Sequence, residues 1–148
     1  MVSRVPTEAD WRSEPWDLDI PHAYKHFAGR TFEQAVGLFK EHALYYQEDV
    51  MFMPRACFPF YARAYMAYLM SVDSRGDADG ASCFFGLAKC RAQDINKDEA
   101  LVDAFIDCLE HLAQRQEFYD ADVSIYGSFA ERARQILHRL RGQHDGPD

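Results

Sequence analysis

Two histidines four residues apart, His22 and His26, have a spacing with which one helix can direct two imidazoles to one metal ion. Asp19, three residues before His22, could in principle add a third ligand. The segment lacks the glutamate of the zinc-protease motif His-Glu-x-x-His, and the chain has no Glu-x-x-His pair of the di-iron type. We therefore expect two surface histidines rather than a metal site, and we expect no cofactor.

A second candidate is Arg63, the only charged residue in the apolar segment 56–72. An arginine on a largely buried helix must find a carboxylate or carbonyl groups, because an unpaired buried charge costs several kcal/mol. We expect a core ion pair with Glu48 or Asp49. The alternative is a pocket in which the guanidinium and tyrosine hydroxyls bind an anionic ligand. The residues of such a pocket would be Arg63, Tyr61, Tyr65 and Tyr68.

Four acidic residues recur at helical spacing along one face of the fifth predicted helix. They are Glu99, Asp103, Asp107 and Glu110. Like charges at this spacing cost a few tenths of a kcal/mol each, so the stripe is mildly unfavourable on its own. The plainer interpretation is a solvated face, or one whose charge is offset by arginines of the following helix: Arg132, Arg134, Arg139 and Arg141. The functional interpretation is a docking face for a basic protein partner.

Two tryptophans, Trp11 and Trp16, lie in the polar segment 1–18, which contains Pro6 and Pro15 and has no periodicity. This pattern predicts an extended N-terminal arm. Large rings on an irregular segment usually dock on the rest of the domain, and we expect that here. The alternative is that the tryptophans reach a protein partner.

Other patterns that carry chemistry are missing or incomplete. The aspartate-rich segment 73–80 does not fit a calcium-binding EF-hand, because that register places Arg75 first and Gly86 at the position of the bidentate glutamate. The chain has no G-x-S-x-G elbow and no glycine-rich phosphate loop. Its cysteines form no C-x-x-C pair, which predicts free, buried thiols: Cys57, Cys83, Cys90 and Cys108. Enzymatic function is therefore uncertain, and the sequence favours a non-enzymatic protein.

The composition limits the remaining possibilities. The chain has 148 residues, of which 48% are hydrophobic and 14% aromatic, enough for one domain with a substantial core. Its 16 basic and 24 acidic residues give a net charge of −8, which argues against nucleic-acid binding. Arginines and prolines interrupt the most apolar window, 50–72, so a membrane span is not expected. No signal-peptide pattern opens the sequence, which predicts a cytoplasmic location.

Helical periodicity and capping residues predict an all-α fold, either a single-domain bundle or stacked helical hairpins of about six helices. Thr31 and Gln34 form a capping-box pattern, and Asn96 with Glu99 resembles a second helix start. The predicted helices run from about 20 to 29, 31 to 47, 59 to 72, 79 to 92, 96 to 119 and 120 or 122 to 142. The resulting domain division is an extended arm (1–18), a helical domain (19–142) and a disordered tail (143–148).

The segment from His26 to Phe32, HFAGRTF, followed by the aromatic segment 58–69, resembles a family of small uncharacterised all-helical bacterial proteins. Those proteins pair an F-x-G-[KR]-T-[WF] helix start with a later tyrosine-rich helix. The resemblance covers about residues 20–72, and the chain has Ala62-Arg63 where a Leu-Pro pair is commoner in that family. It implies a bacterial origin and a helical fold, and it implies no active site.

Together these patterns favour a small acidic protein-protein interaction module, an adaptor or an immunity-type binder. Its contact surface would be the acidic helix or the tryptophan-bearing arm, its partner would be basic, and self-association is possible. The alternative is a small-ligand-binding protein or enzyme built around Arg63 and its neighbouring tyrosines.

Overall fold

The computed structural model describes the backbone of residues 4–144 and the side chains of residues 4–140. All the regular structure in this part of the chain is helical, so the predicted all-α class is confirmed. The chain divides into two compact units, with the boundary between Tyr68 and Leu69. No helix among the described residues combines the length and the apolar character needed to cross a lipid bilayer.

The described part of unit 1 contains four helices. They are α1 (Glu8–Trp11), α2 (Ile20–Phe27), α3 (Phe32–Phe52) and α4 (Phe58–Leu69), whose last residue begins unit 2. The capping box predicted for Thr31 and Gln34 is confirmed, since each side chain accepts a hydrogen bond from the other's backbone N–H. Helix α3 continues beyond the predicted end at Gln47 and stops where Met53, the residue before Pro54, is extended.

Aromatic rings form the core of unit 1. Phe39 stacks on Tyr65 with ring centroids 4.8 Å apart, and Phe27 lies 5.0 Å from Tyr61. The Tyr61 hydroxyl donates to the carbonyl oxygen of Phe27 at 2.8 Å, so its polar end is satisfied inside the core. Trp11 is 1% exposed and packs edge-on to Tyr24, so this tryptophan docks in unit 1 as expected. The N-terminal segment that was predicted to be an extended arm contains the short helix α1.

After the end of α4, the described part of unit 2 contains a 3-10 turn (Val72–Ser74) and five helices. They are α5 (Ala78–Cys90), α6 (Ala92–Ile95), α7 (Glu99–Ala113), α8 (Val123–Tyr126) and α9 (Phe129–His144). Aspartates cap three of these helices at their N-termini: Asp77, Asp98 and Asp122. The predicted cap at Asn96 was wrong, because the Asp98 side chain accepts from the backbone N–H of Leu101 instead.

The core of unit 2 is also aromatic. Phe84 of α5 stacks on Phe105 of α7, and Phe85 packs edge-on to Phe129 at the start of α9. The single helix predicted after Asp120 or Asp122 is divided at Gly127, whose positive φ of 76° ends α8. Helix α9 extends past the predicted end at Gly142 to His144, and the rest of the predicted tail lies outside the described residues.

Candidate metal centre

The histidine pair of α2 lies on the face of that helix that is turned toward α3. Pro21 stands in the first turn of α2, where its missing N–H costs nothing, and the helix ends at Phe27. Residues four apart fall on one face of a helix, which puts the rings of His22 and His26 4.7 Å apart. The spacing noticed in the sequence therefore does bring the two imidazoles together.

A carboxylate from α3 joins the two rings. Asp49 Oδ1 lies 2.8 Å from Nδ1 of His22, and Asp49 Oδ2 lies 2.7 Å from Nδ1 of His26. One ligand atom from each of the three side chains falls within 4.8 Å of the others. We call these residues the His22–His26–Asp49 cluster.

Burial within the cluster is graded. The Asp49 side chain is only 4% exposed, that of His26 18% and that of His22 56%. Removing a carboxylate from water is costly unless positive charge or hydrogen-bond donors compensate it. Here both carboxylate oxygens face imidazole nitrogens, and the cluster opens to solvent on the His22 side.

An irregularity in α3 precedes the segment that carries Asp49. His42 has non-helical backbone angles (φ −164°, ψ 75°), so α3 consists of two helical segments. The Nδ1 atom of His42 accepts a hydrogen bond from the backbone N–H of Tyr45 at 3.3 Å. This is the bond that an N-cap side chain makes with the third residue of a helix, and His42 thus begins the second segment. Its side chain is not part of the cluster.

Two tyrosines border the cluster. The ring of His26 lies 5.5 Å from that of Tyr45 and 5.3 Å from that of Tyr46. Partial loss of solvation raises the pKa of Tyr46, and the negative charges of Glu41 and Asp49 raise it further. A phenol with a raised pKa keeps its proton and remains a hydrogen-bond donor at neutral pH. These rings restrict the rotamers of His26 and cover one side of it.

The donor set suits a divalent transition metal. Two imidazoles with one carboxylate are typical ligands of Zn²⁺ in open sites, and of iron and other first-row ions. Three protein ligands leave at least one coordination position free, and the exposed side at His22 gives water access to it. Asp19, the third ligand considered from the sequence, is outside the cluster, and its place is taken by Asp49.

The structure places Arg63 elsewhere, half-buried on α4. Its Nη1 donates to the carbonyl oxygen of Pro59 at 3.5 Å, and it forms no ion pair among the described residues. Asp49, which with Glu48 was one of the two carboxylates expected to pair with it, faces the two histidines instead. The three tyrosines grouped with Arg63 are all buried: Tyr61, Tyr65 and Tyr68. The Tyr61 hydroxyl donates to backbone carbonyls.

The acidic stripe lies on α7 and mainly faces solvent. Asp103 and Asp107 are exposed and form no ion pair among the described residues, and Glu99 is exposed as well. Glu110, the last member, is half-buried. Two of the arginines expected to offset the stripe contact other residues. Arg132 donates to Ser82, and Arg134 pairs with Glu131.

The two tryptophans proposed as partner contacts differ in burial. Trp11 is in the core of unit 1, whereas Trp16 is half-buried and donates from its indole N–H to the Trp11 carbonyl at 2.8 Å. The Arg12 guanidinium lies 3.9 Å above the Trp16 ring. Trp16 therefore keeps part of its surface accessible, and Trp11 does not.

Sequence reasoning missed the role of Asp49. The available signal was its charge, since it lies at the edge of the apolar stripe that α3 forms with Ala35, Phe39 and Ala43. A carboxylate in that place needs a compensating group on the neighbouring helix.

Comparison with protein-family models, curated proteins and solved structures found no match for this chain.

Proposed function

We propose that this chain binds one divalent transition-metal ion, with Zn²⁺ as the best-fitting ion, at the His22–His26–Asp49 cluster. The observation that carries the proposal is that one nearly buried carboxylate lies within 2.8 Å of Nδ1 of both histidines. The ligand atoms would be the two Nδ1 atoms and the Asp49 carboxylate. Solvent would fill the remaining position on the exposed side.

The distances support this assignment with a small adjustment. In a tetrahedral zinc site with bonds of about 2.0 Å, ligand atoms lie about 3.3 Å apart. The two Nδ1–carboxylate distances, 2.8 and 2.7 Å, would therefore each lengthen by about 0.5 Å when the ion enters. Without metal, each Nδ1 acts as a hydrogen-bond donor to the carboxylate. With metal bound, each Nδ1 would lose its proton and the neutral ring would carry its proton on Nε2.

The function that follows is a metal-dependent connection between α2 and the second segment of α3. Because the three ligands from two helices come together only in the folded chain, the ion would stabilise unit 1 by an amount that grows with the logarithm of its affinity and concentration. One coordination position on the solvent side could also hold an exchangeable water molecule. The location of the protein in the cytoplasm remains a prediction.

Zinc binding to untagged protein tests this proposal, by competition with a chromophoric chelator. We expect one Zn²⁺ per chain in the wild type, and at least about tenfold weaker binding after His26→Gln. His138 is an exposed histidine of α9 outside the cluster, and His138→Gln is the matched control that should bind as the wild type does. Equal affinity of wild type and His26→Gln would overturn the proposal.

We also propose the interaction function drawn from the acidic stripe, for a protein partner with a basic surface. The supporting observation is that Asp103 and Asp107 are exposed and unpaired within the described residues. A photo-crosslinking amino acid placed at either position should trap a partner in the native cells. The same probe at Ala130, an exposed position of α9, is the control. Equal yields at all three positions would contradict this second function.

A further inference from the structure

A cavity between α5 and α9 in unit 2 has features of a small-molecule site. Its volume is about 320 Å³, at the small end of the usual range for ligand pockets. Phe85 and Ile136 supply apolar lining, and both are nearly buried. Gly86 also lines the cavity, and a side-chain carbon added there would meet no atom within 4 Å. The space beside the glycine is therefore open.

The polar residues around this cavity are mainly cationic. Lys89 of α5 and Arg132 and Arg139 of α9 line it, and none of the described residues that line it is acidic. Lys89 and Arg139 are exposed and form no ion pair among the described residues. Three cations close together repel one another, so an anion bound between them would relieve that repulsion. This concentration of positive charge is unexpected in a chain with a net charge of −8.

Arg132 is held in place by neighbouring groups. Its Nη1 donates to Ser82 Oγ at 2.8 Å and to the Tyr126 carbonyl at 3.0 Å, and its Nη2 donates to the Ser82 carbonyl at 3.3 Å. The guanidinium carbon lies 4.7 Å from the centre of the Phe85 ring. Its five N–H donors include one on Nε and a second on Nη2 that have no partner among the described residues. Adjacent donors of this kind bind an oxyanion bidentately.

We propose that the cavity lined by Phe85, Gly86 and Arg132 binds a small organic anion, with a carboxylate or phosphate group on an apolar skeleton. The oxyanion would lie between Arg132 and the flexible cations Lys89 and Arg139. The apolar part would contact Phe85 and Ile136. Because Arg132 is fixed before binding, little side-chain freedom is lost when the anion arrives. The proposal is independent of the metal site.

Titration followed by ¹H–¹⁵N correlation spectra tests this site with phenyl phosphate and benzoate as probes. Inorganic phosphate and phenol test the two halves of the ligand separately. We expect one or both aromatic anions to bind with a Kd of about 1 mM or below. The backbone amides whose chemical shifts change on binding should belong to α5 and α9. Phosphate and phenol should each bind at least about tenfold more weakly than the better aromatic anion.

Two glycine variants separate a real cavity from nonspecific attraction. Gly86→Leu should fill the cavity and weaken the binding of the aromatic anions at least about tenfold, because the leucine side chain would occupy the space of the ligand. Gly37→Leu is the matched control, since Gly37 is also helical with open space around an added side-chain carbon. The double variant Lys89→Gln/Arg139→Gln should weaken the binding of the anions while leaving the fold intact.

Three results would overturn the inference. The first is that neither aromatic anion binds at concentrations of about 10 mM, a level that would reveal even weak sites. The second is that Gly86→Leu binds the anions as well as Gly37→Leu does. The third is that inorganic phosphate binds as tightly as phenyl phosphate, because the apolar lining would then contribute nothing.

Discussion

Asp49 Oδ2 lies 2.7 Å from Nδ1 of His26, although 23 positions separate the two residues in the chain. The carboxylate comes from α3 and the imidazole from α2, and both groups are largely withdrawn from solvent. The hydrogen bonds of this buried carboxylate connect the two helices at the edge of an aromatic core. Its removal should therefore affect both stability and metal binding.

The first prediction concerns Asp49 itself. Asp49→Asn keeps the shape of the side chain but removes the charge and one of the two acceptor oxygens. We expect the free energy of unfolding to fall by about 1–3 kcal/mol, since a nearly buried group loses a charged hydrogen bond. Urea denaturation would measure the change. Asp103→Asn, at an exposed site, should change it by less than about 0.5 kcal/mol. Equal effects of the two substitutions would contradict this account of Asp49.

The second prediction concerns the hydroxyl of Tyr61. It donates to the carbonyls of Phe27 and Arg30 at 2.8 and 3.1 Å, at the end of α2 and just before α3. Tyr61→Phe should lower the free energy of unfolding by about 1–2 kcal/mol, because the Phe27 carbonyl loses one of its two donors and keeps only the backbone N–H of Arg30. The fold should survive, since the ring remains in the core. A variant as stable as the wild type in urea would show that these bonds contribute nothing.

The third prediction is a loss of stability in alkali. Burial raises the pKa of the Cys57 thiol to about 12 and that of the Tyr119 phenol to about 12, and it raises the pKa of Cys108 as well. The folded chain therefore holds these protons at pH values where the unfolded chain has lost them. The stabilisation is complete below about pH 8.5, the ordinary thiol value, and decreases as the pH rises toward 12.

Thermal unfolding between about pH 8 and pH 11 would measure this dependence. Cys57→Ala removes one of the groups, and its midpoint temperature should fall less steeply with pH than that of the wild type. A midpoint that stays constant, or that rises with pH over this interval, would contradict the prediction.

The fourth prediction concerns thiol accessibility. Cys57 and Cys108 are buried, Cys83 is half-buried and Cys90 is exposed at the end of α5. A chromogenic disulfide reagent applied to the native protein should therefore modify Cys90 first and leave Cys57 and Cys108 unmodified until the chain unfolds. Peptide mapping by mass spectrometry would identify the modified residues. Early modification of Cys108 would show that the core of unit 2 is open.

The helix starts that carry a clear cap could be predicted because capping signals are local. Thr31 and Gln34 satisfy each other's backbone groups within one turn, so the start of α3 was predicted correctly, whereas its end at Phe52, before Pro54, lies beyond the predicted end at Gln47. Asn96 was chosen wrongly as a cap because Asp98, two residues later, offers the same chemistry. Local patterns do not decide between two such neighbours.

Only the two histidines of the His22–His26–Asp49 cluster could be brought together from the sequence. The spacing of His22 and His26 is local, and it did identify the shared face of α2. The third group depends on how α2 packs against α3, and on the interruption of α3 at His42. The residue order does not reveal either feature, so the sequence offered Asp49 only as one of two candidate partners, with Glu48, for Arg63.

The most direct test of the metal site is an NMR measurement of the imidazole nitrogens of ¹⁵N-labelled protein, before and after one equivalent of Zn²⁺. Without zinc, we expect Nδ1 of His22 and His26 to carry the proton that faces Asp49. With zinc, both Nδ1 signals should shift to metal-bound values, and the proton should be found on Nε2. Unchanged Nδ1 signals of both histidines, at saturating zinc, would contradict the claim that this cluster is a metal centre.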